Sequence, residues 1–170
     1  MLLSHLSLRE QALQKLVAAL KPGGWLVVEE MDGVSIALVA PADAESQDLY
    51  RRVESAVSVA MAAHGHTYDY GRRLYGAYLA HGLGEVHAEG RVYLRTAGAG
   101  ATVARLTVAQ LQSELLADGA ITEADLAAYF TLLEDPTFVA VTPMLMAVRG
   151  RRIPPRTPRH DMDSTGGEFS

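Results

Sequence analysis

The fold is decided by residues 20–30, which read Leu20-Lys21-Pro22-Gly23-Gly24-Trp25-Leu26-Val27-Val28-Glu29-Glu30. Pro22 ends a helix, and the two glycines after it make a tight turn. The apolar run that follows is uninterrupted, as in parallel strands that are buried on both faces, so residues 25–30 are predicted to form such a strand. Acidic residues end the run, and open α/β sheets bind their ligands beside the carboxyl ends of their strands.

Helices are predicted on both sides of this strand because apolar residues recur there at helical spacing. Ser7 with Glu10 and Thr107 with Gln110 form capping-box patterns that predict the starts of the first and fourth helices, and Thr122 is predicted to cap the fifth. Glycines follow the ends of most of these helices. Their predicted ranges are 8–20, about 43–64, about 68–81, 107–119 and 122–135.

Two further strands complete the predicted α/β fold. Residues 85–95 alternate between apolar and polar side chains, which is typical of a strand with one polar face near a sheet edge. Residues 143–149 form a last apolar strand. Residues 152–170 are rich in Pro, Arg, Ser, Gly and Asp, and we expect them to be a disordered tail.

The composition excludes several functional classes. A net charge of −5 argues against a nucleic-acid surface, which needs a basic patch. The absence of cysteine excludes disulfides, thiolate metal sites and cysteine nucleophiles. No apolar run approaches the roughly 20 residues that cross a bilayer, and no signal-peptide pattern is present. We therefore expect a cytoplasmic protein that has neither nucleic acid nor a membrane as its partner.

The helix, turn and strand of residues 20–30 resemble the segment that leads into the fifth strand of class I S-adenosylmethionine-dependent methyltransferases. The lead-in Leu2-Leu3-Ser4-His5-Leu6 resembles the segment after their fourth strand. The strands at 85–95 and 143–149, the latter followed by Gly150-Arg151-Arg152, resemble their sixth and seventh strands. The resemblance covers about residues 1–150.

This resemblance implies a partial Rossmann-like sheet. Its strands would lie in the order fifth, seventh, sixth, with the seventh antiparallel between its neighbours. Residues of about 41–82 would form a helical lid of the kind that small-molecule methyltransferases carry over the substrate. Residues 1–151 would then be the C-terminal part of a methyltransferase domain.

The cofactor-binding half of the family has no counterpart in the sequence. The family holds S-adenosylmethionine with a glycine-rich loop, which lets the backbone approach the ligand, and with an acid that accepts from the ribose. At about 30 residues per βα unit, roughly 100 residues would be missing. We therefore expect a fragment, a split subunit or a truncated reading frame, whose partner is the missing half or a second copy.

Three candidate site residues lie near the predicted strand. The resemblance puts His5 beside the methyl-transfer centre, where it would act as a general base or contact the cofactor; the alternative is a polar residue with no role. Glu30 and Asp32 end the strand and would orient an acceptor amine or hydroxyl; the alternative for both is a solvated strand end.

The densest polar and aromatic patch lies at residues 64–75. If it is a lid loop over a pocket, His66 or Tyr70 would take the proton of the acceptor, and Tyr68 and Arg73 would bind the substrate. The alternative is a helix–loop–helix junction with ordinary packing. A metal site at His64 and His66 is not favoured, because two residues at positions i and i+2 do not share a helical face.

Two functions remain open from the sequence. In the first, the chain is part of an enzyme that moves a methyl group from S-adenosylmethionine to a small-molecule acceptor, and it is inactive as a fragment. In the second, it is a non-catalytic remnant or a partner subunit that completes another chain. Binding of the cofactor by this chain alone distinguishes them.

Overall fold

The predicted helix, turn and strand around residue 22 are present, but the strand is neither parallel nor buried on both faces, because it pairs antiparallel with the last strand of the chain and leaves Trp25 and Val27 exposed. The computed structural model describes residues 2–41, 43–117 and 119–154. Helix α1, Arg9–Ala19, is followed by the turn at Gly23, whose φ of 78° lies in the left-handed region that favours glycine. Strand β1, Trp25–Asp32, comes directly after the turn.

The first sheet joins three strands from distant parts of the sequence. Strands β3, Leu83–Arg91, and β6, Met144–Arg152, combine with β1 in the order β1-β6-β3. Strand β6 lies antiparallel to both neighbours. The predicted strand order and the antiparallel orientation of the last strand are therefore confirmed. Arg152 belongs to β6, although the sequence placed it in the tail; residues 155–170 of that predicted tail lie outside the described residues.

A second sheet, which the sequence did not predict, is built from three short strands. These are β2, Ala37–Ala40, β4, Leu94–Thr96, and β5, Val139–Val141, and they pair antiparallel in the order β2-β5-β4. The single strand predicted at 85–95 is thus wrong, because β3 ends at Arg91 and β4 belongs to the other sheet.

Four more α-helices and three short 3-10 helices, Leu3–His5, Gly33–Ser35 and Gly98–Ala101, complete the described structure. Helices α2, Ala44–Ala63, and α3, Tyr70–Ala80, lie close to their predicted ranges. Helix α4, Thr102–Ala117, begins five residues earlier than predicted, and α5 covers Glu123–Glu134.

One of the three predicted helix caps is confirmed and two are wrong. Thr122 forms the predicted cap of α5, in a capping box with Asp125. The Ser7 cap of α1 is wrong, because Leu8 occupies the cap position and no side chain bonds to the free N–H groups there. The box predicted at Thr107 lies inside α4.

The helices divide between two apolar cores. Helices α1 and α3 cover one face of the first sheet, with Leu13, Leu74 and Tyr78 fully buried beneath them. Helices α2, α4 and α5 pack together with the second sheet around Val53, Tyr129 and other buried residues. The segment 41–82, predicted as one lid, is therefore split: α2 lies in the second core and α3 lies on the first sheet.

The other face of the first sheet is open along β1. Trp25 and Val27 are exposed at 45% and 64%, and within the described ranges β1 pairs only with β6. Arg149 and Arg151 place their guanidinium groups over the Trp25 ring. An unpaired strand edge beside apolar side chains is a template for another strand.

We expect the purified chain to self-associate through this edge, so that light scattering gives a mass above that of the monomer. Val27→Lys should restore the monomer, because a charge on an edge strand disfavours pairing with a second edge. Val59→Lys changes an equally exposed valine on α2 and serves as the control. A monodisperse, cooperatively melting wild-type monomer would contradict the prediction.

Candidate functional site

A cavity of about 340 Å³ lies between the two cores, at the carboxyl end of β1. Its walls are mainly apolar. Its ionisable groups come from the lead-in to α1, the α2–α3 loop, α2 and β4. They belong to His5, His66, Tyr68, Glu54 and Arg95, and the hydroxyl residues Ser4, Thr107 and Thr142 also line the cavity. A mainly apolar cavity with a few convergent polar groups is typical of a small-molecule site. A wider and more open groove of about 650 Å³ adjoins it and shares Glu54 and Tyr68.

His5 and His66 form a pair in this cavity, with ring centroids 4.5 Å apart. Arg9 holds the two supporting segments together, because its Nη2 donates to the carbonyl of Gly65 at 2.7 Å and its Nε donates to the carbonyl of Leu3 at 3.3 Å. The predicted candidates from the lead-in and from the 64–75 patch are therefore brought to one place by an arginine that the sequence analysis did not single out.

His66 is suited to accept a proton near neutral pH. Partial burial lowers the pKa of its imidazole, and the nearby His5 and Arg9 lower it further, while Glu30 opposes them. Its Nδ1 is buried without a hydrogen-bond partner in the described structure. A neutral imidazole beside a cavity is the form that acts as a general base.

We expect His66 to titrate below its ordinary pKa of 6.5 when its ring resonances are followed by NMR. Because the pKa is lowered, the imidazole stays neutral as the pH falls past 6.5, and it gains its proton only at more acidic pH. His5→Ala should move the midpoint part of the way back, since burial, the larger cause, remains. A midpoint above 6.5 would contradict this description.

Tyr68 forms the middle of the cavity wall and lies against Gly33. A Cβ atom at position 33 would come within 2.1 Å of the Tyr68 ring, and the Gly33 N–H donates to the Tyr68 carbonyl at 2.8 Å. The Tyr68 ring meets that of His66 edge-on, with centroids 5.8 Å apart. Burial, and secondarily Glu54, raises the pKa of the Tyr68 phenol, so the hydroxyl keeps its proton and can donate it in a hydrogen bond.

A polar cluster borders the cavity beyond Tyr68. Arg95 Nη2 donates to Glu54 Oε1 at 3.0 Å and also to the Tyr50 hydroxyl. The Tyr129 hydroxyl donates to the same Glu54 oxygen at 2.7 Å. The side chains of Arg95 and Glu54 are only 11% and 14% exposed, so this ion pair is largely removed from water.

Glu30 and Asp32 are buried, at 1% and 0% exposure, and neither lines the cavity. Glu30 accepts from the backbone N–H groups of Leu2 and Leu3, at 2.7 and 2.5 Å, and from the Ser4 hydroxyl at 2.8 Å. Strand alternation turns both side chains toward the covered face of the sheet, which is the reason that they differ from the prediction.

Asp32 is held from two directions. It accepts from the Val34 N–H at 3.0 Å and from Arg72, whose Nη2 lies 2.9 Å from Oδ1 and whose Nε donates to Oδ2. Because this carboxylate is buried and paired, it holds the end of β1 to the following turn and to α3.

Tyr70 and Arg73 also lie away from the cavity. Tyr70 is 2% exposed in the first core, where its hydroxyl lies 3.5 Å from Glu10 Oε1, and burial raises its pKa to about 12. Arg73 makes an exposed pair with Asp69 at 2.6 Å. Of the seven predicted site residues, the structure thus brings together His5, His66 and Tyr68 only.

The sequence analysis missed Glu54 and Arg95. Glu54 adjoins the apolar stripe of α2, next to the fully buried Val53, where a charged residue usually marks the solvated side of a helix. Arg95 stands in the short strand β4. Neither position carries a local signal of burial, because their pairing depends on how α2 packs against the second sheet.

Comparison with known proteins identifies no family. The chain matches none of the protein-family models, and no curated protein sequence matches it significantly. Within the described ranges, no three His, Asp or Glu side chains come together as metal ligands. Among those same residues, no helix is both long and apolar enough to cross a bilayer.

Proposed function

We propose that the chain supplies the acceptor-binding side of a class I S-adenosylmethionine-dependent methyltransferase that acts on a small molecule. The observation that supports the proposal most strongly is the cavity at the carboxyl end of β1. Strand β1 belongs to a sheet in which β6 lies antiparallel between β1 and β3. The histidine pair stands at that cavity. This placement and the resemblance of residues 1–150 together support the proposal.

The chain's own residues would bind the acceptor and accept its proton. His66, neutral near pH 7, takes the proton from the acceptor hydroxyl or amine as it becomes a nucleophile. Tyr68 donates a hydrogen bond that orients the acceptor. The apolar walls exclude water and hold the acceptor in one pose, which is the main protein contribution when the transferred group is already activated. S-Adenosylmethionine would supply that group, a methyl on a sulfonium.

The described residues do not themselves fit the cofactor. Its ribose needs a carboxylate at a strand end with free oxygens, and both carboxylates at the end of β1 are used: Glu30 holds the lead-in segment and Asp32 pairs with Arg72. The same observation favours the second candidate function, a partner subunit that has no turnover of its own.

Two separate titrations of the purified chain test the proposal. The phenolic probe para-ethylphenol should shift the NMR resonances of His5 and His66, because both rings line the cavity, and leave those of His87 unchanged. S-Adenosylmethionine should give no calorimetric binding signal at concentrations below about 1 mM. A dissociation constant of that size corresponds to a binding free energy of about −4 kcal/mol. Micromolar binding of S-adenosylmethionine, or a probe that leaves both histidines unchanged, would contradict the proposal.

A further inference from the structure

The ionisable groups of the cavity lie on two sides of it. His5 and His66 lie together, with ring centroids 4.5 Å apart, and Tyr68 follows at 5.8 Å from His66. Tyr68 and Glu54 also line the wider groove beside the cavity, whereas His5 and His66 line the cavity alone. The Glu54–Arg95 pair therefore lies on the groove side of the cavity, away from the histidines.

The ion pair is not saturated by the protein. Glu54 Oε1 accepts hydrogen bonds from both Arg95 Nη2 and the Tyr129 hydroxyl. The Nε of Arg95 is buried and has no hydrogen-bond partner in the described part of the chain. An ion pair removed from water is costly unless its remaining donors and acceptors are satisfied. Nε itself is closed to the cavity, so a bound molecule would meet the other Glu54 and Arg95 atoms, which line the cavity wall.

We propose that the Glu54–Arg95 pair sets the specificity of the cavity by binding an uncharged group of the acceptor that both donates and accepts hydrogen bonds, such as a carboxamide or hydroxyl. Such a group donates to Glu54 and accepts from Arg95. A carboxylate would meet the Glu54 charge and a cation would meet that of Arg95, whereas a neutral dipole meets no like charge. This inference rests on the proposed function, and it names the class of acceptor: a small, mostly apolar molecule with a reacting group at His66 and a neutral polar group beyond Tyr68.

Three probes that differ only in one substituent test the inference on the full chain. These are para-hydroxybenzamide, para-ethylphenol and para-hydroxybenzoate. The dissociation constant of the amide should be about tenfold lower than that of para-ethylphenol, an amount expected from one or two added hydrogen bonds. The benzoate should bind no more tightly than para-ethylphenol. Equal affinities for the amide and para-ethylphenol would overturn the inference.

Variants of the pair sharpen the test. The double variant Glu54→Gln/Arg95→Met removes both charges, so that no buried charge is left unpaired, and thermal unfolding checks that it folds. It should lose the tenfold preference and bind the amide and para-ethylphenol with equal affinity. Glu54→Gln alone leaves Arg95 without its counterion, and para-hydroxybenzoate should then bind more tightly than to the wild type.

The outcomes separate this inference from the function on which it rests. A preference for the amide that survives the double variant would overturn the inference alone, since the cavity would still bind phenols. Tighter benzoate binding to Glu54→Gln supports it, and unchanged benzoate binding contradicts it. If none of the three probes shifts the His66 resonances, both the proposed acceptor cavity and the inference about its specificity are contradicted.

Discussion

Glu30→Ala is expected to lower the free energy of unfolding by about 3 kcal/mol, within the range for breaking a buried, hydrogen-bonded charge site. The carboxylate is 1% exposed and accepts from two backbone N–H groups and the Ser4 hydroxyl. Alanine would leave these three donors without their acceptor. Because they belong to residues 2–4, the variant should also release the segment that carries His5 to the cavity.

Glu29→Ala is the matched control, since Glu29 is the preceding residue of β1 and is exposed. An exposed substitution of this kind changes stability by no more than about 0.5 kcal/mol. Urea unfolding gives both free energies, and amide exchange at Leu2 and Leu3, whose N–H groups bond to Glu30, reports the release of the segment. Equal stability of the two variants would show that the Glu30 hydrogen bonds do not hold the lead-in to the sheet.

Gly33→Ala is expected to weaken para-ethylphenol binding by at least about 100-fold, equivalent to about 2.7 kcal/mol. The added Cβ would lie 2.1 Å from a Tyr68 ring carbon, far inside van der Waals contact, so the ring must move. Tyr68 lines the cavity between His66 and the Glu54–Arg95 pair. Its displacement should therefore close or reshape the part of the cavity that holds the probe.

Gly76→Ala provides the control for this prediction. Gly76 lies in α3, and a Cβ there would meet nothing within 4 Å. Alanine is the better helix former by about 1 kcal/mol, so this variant should be at least as stable as the wild type and bind the probe equally well. Calorimetric titration of both variants decides the matter. Retained affinity in Gly33→Ala would mean that the probe does not contact the wall formed by Tyr68.

The long elements of the fold could be predicted from the sequence, and the short ones could not. The helix, Pro-Gly-Gly turn and apolar run around β1 carry strong local signals, and the order β1-β6-β3 followed from the resemblance. The strands of the second sheet have three or four residues each, too few to show alternation. The false cap at Thr107 shows that a capping-box pattern also occurs inside a helix.

The candidate site was predictable only in part for a related reason. His66 and Tyr68 stand in a conspicuous polar patch, and the structure brings them to the cavity. Glu30 and Asp32 were placed at the correct strand end, but the sequence does not say which acids face inward and find partners there. Arg95 depends on the packing of β4 against α2, a long-range contact that no local pattern encodes.

We propose that the cavity holds a small-molecule acceptor whose proton passes to His66 when the acceptor is methylated. It is tested most directly by co-expressing the chain with the cofactor-binding half of a class I methyltransferase and following transfer of a ¹³C-labelled methyl group to para-hydroxybenzamide. We expect a methylated product whose rate of formation falls by roughly 100-fold or more in His66→Ala, the usual contribution of a general base. Arg73→Ala, which changes an exposed residue away from the cavity, should leave that rate unchanged. No methylated product, or a product formed at the same rate by the wild type and His66→Ala, would contradict the claim.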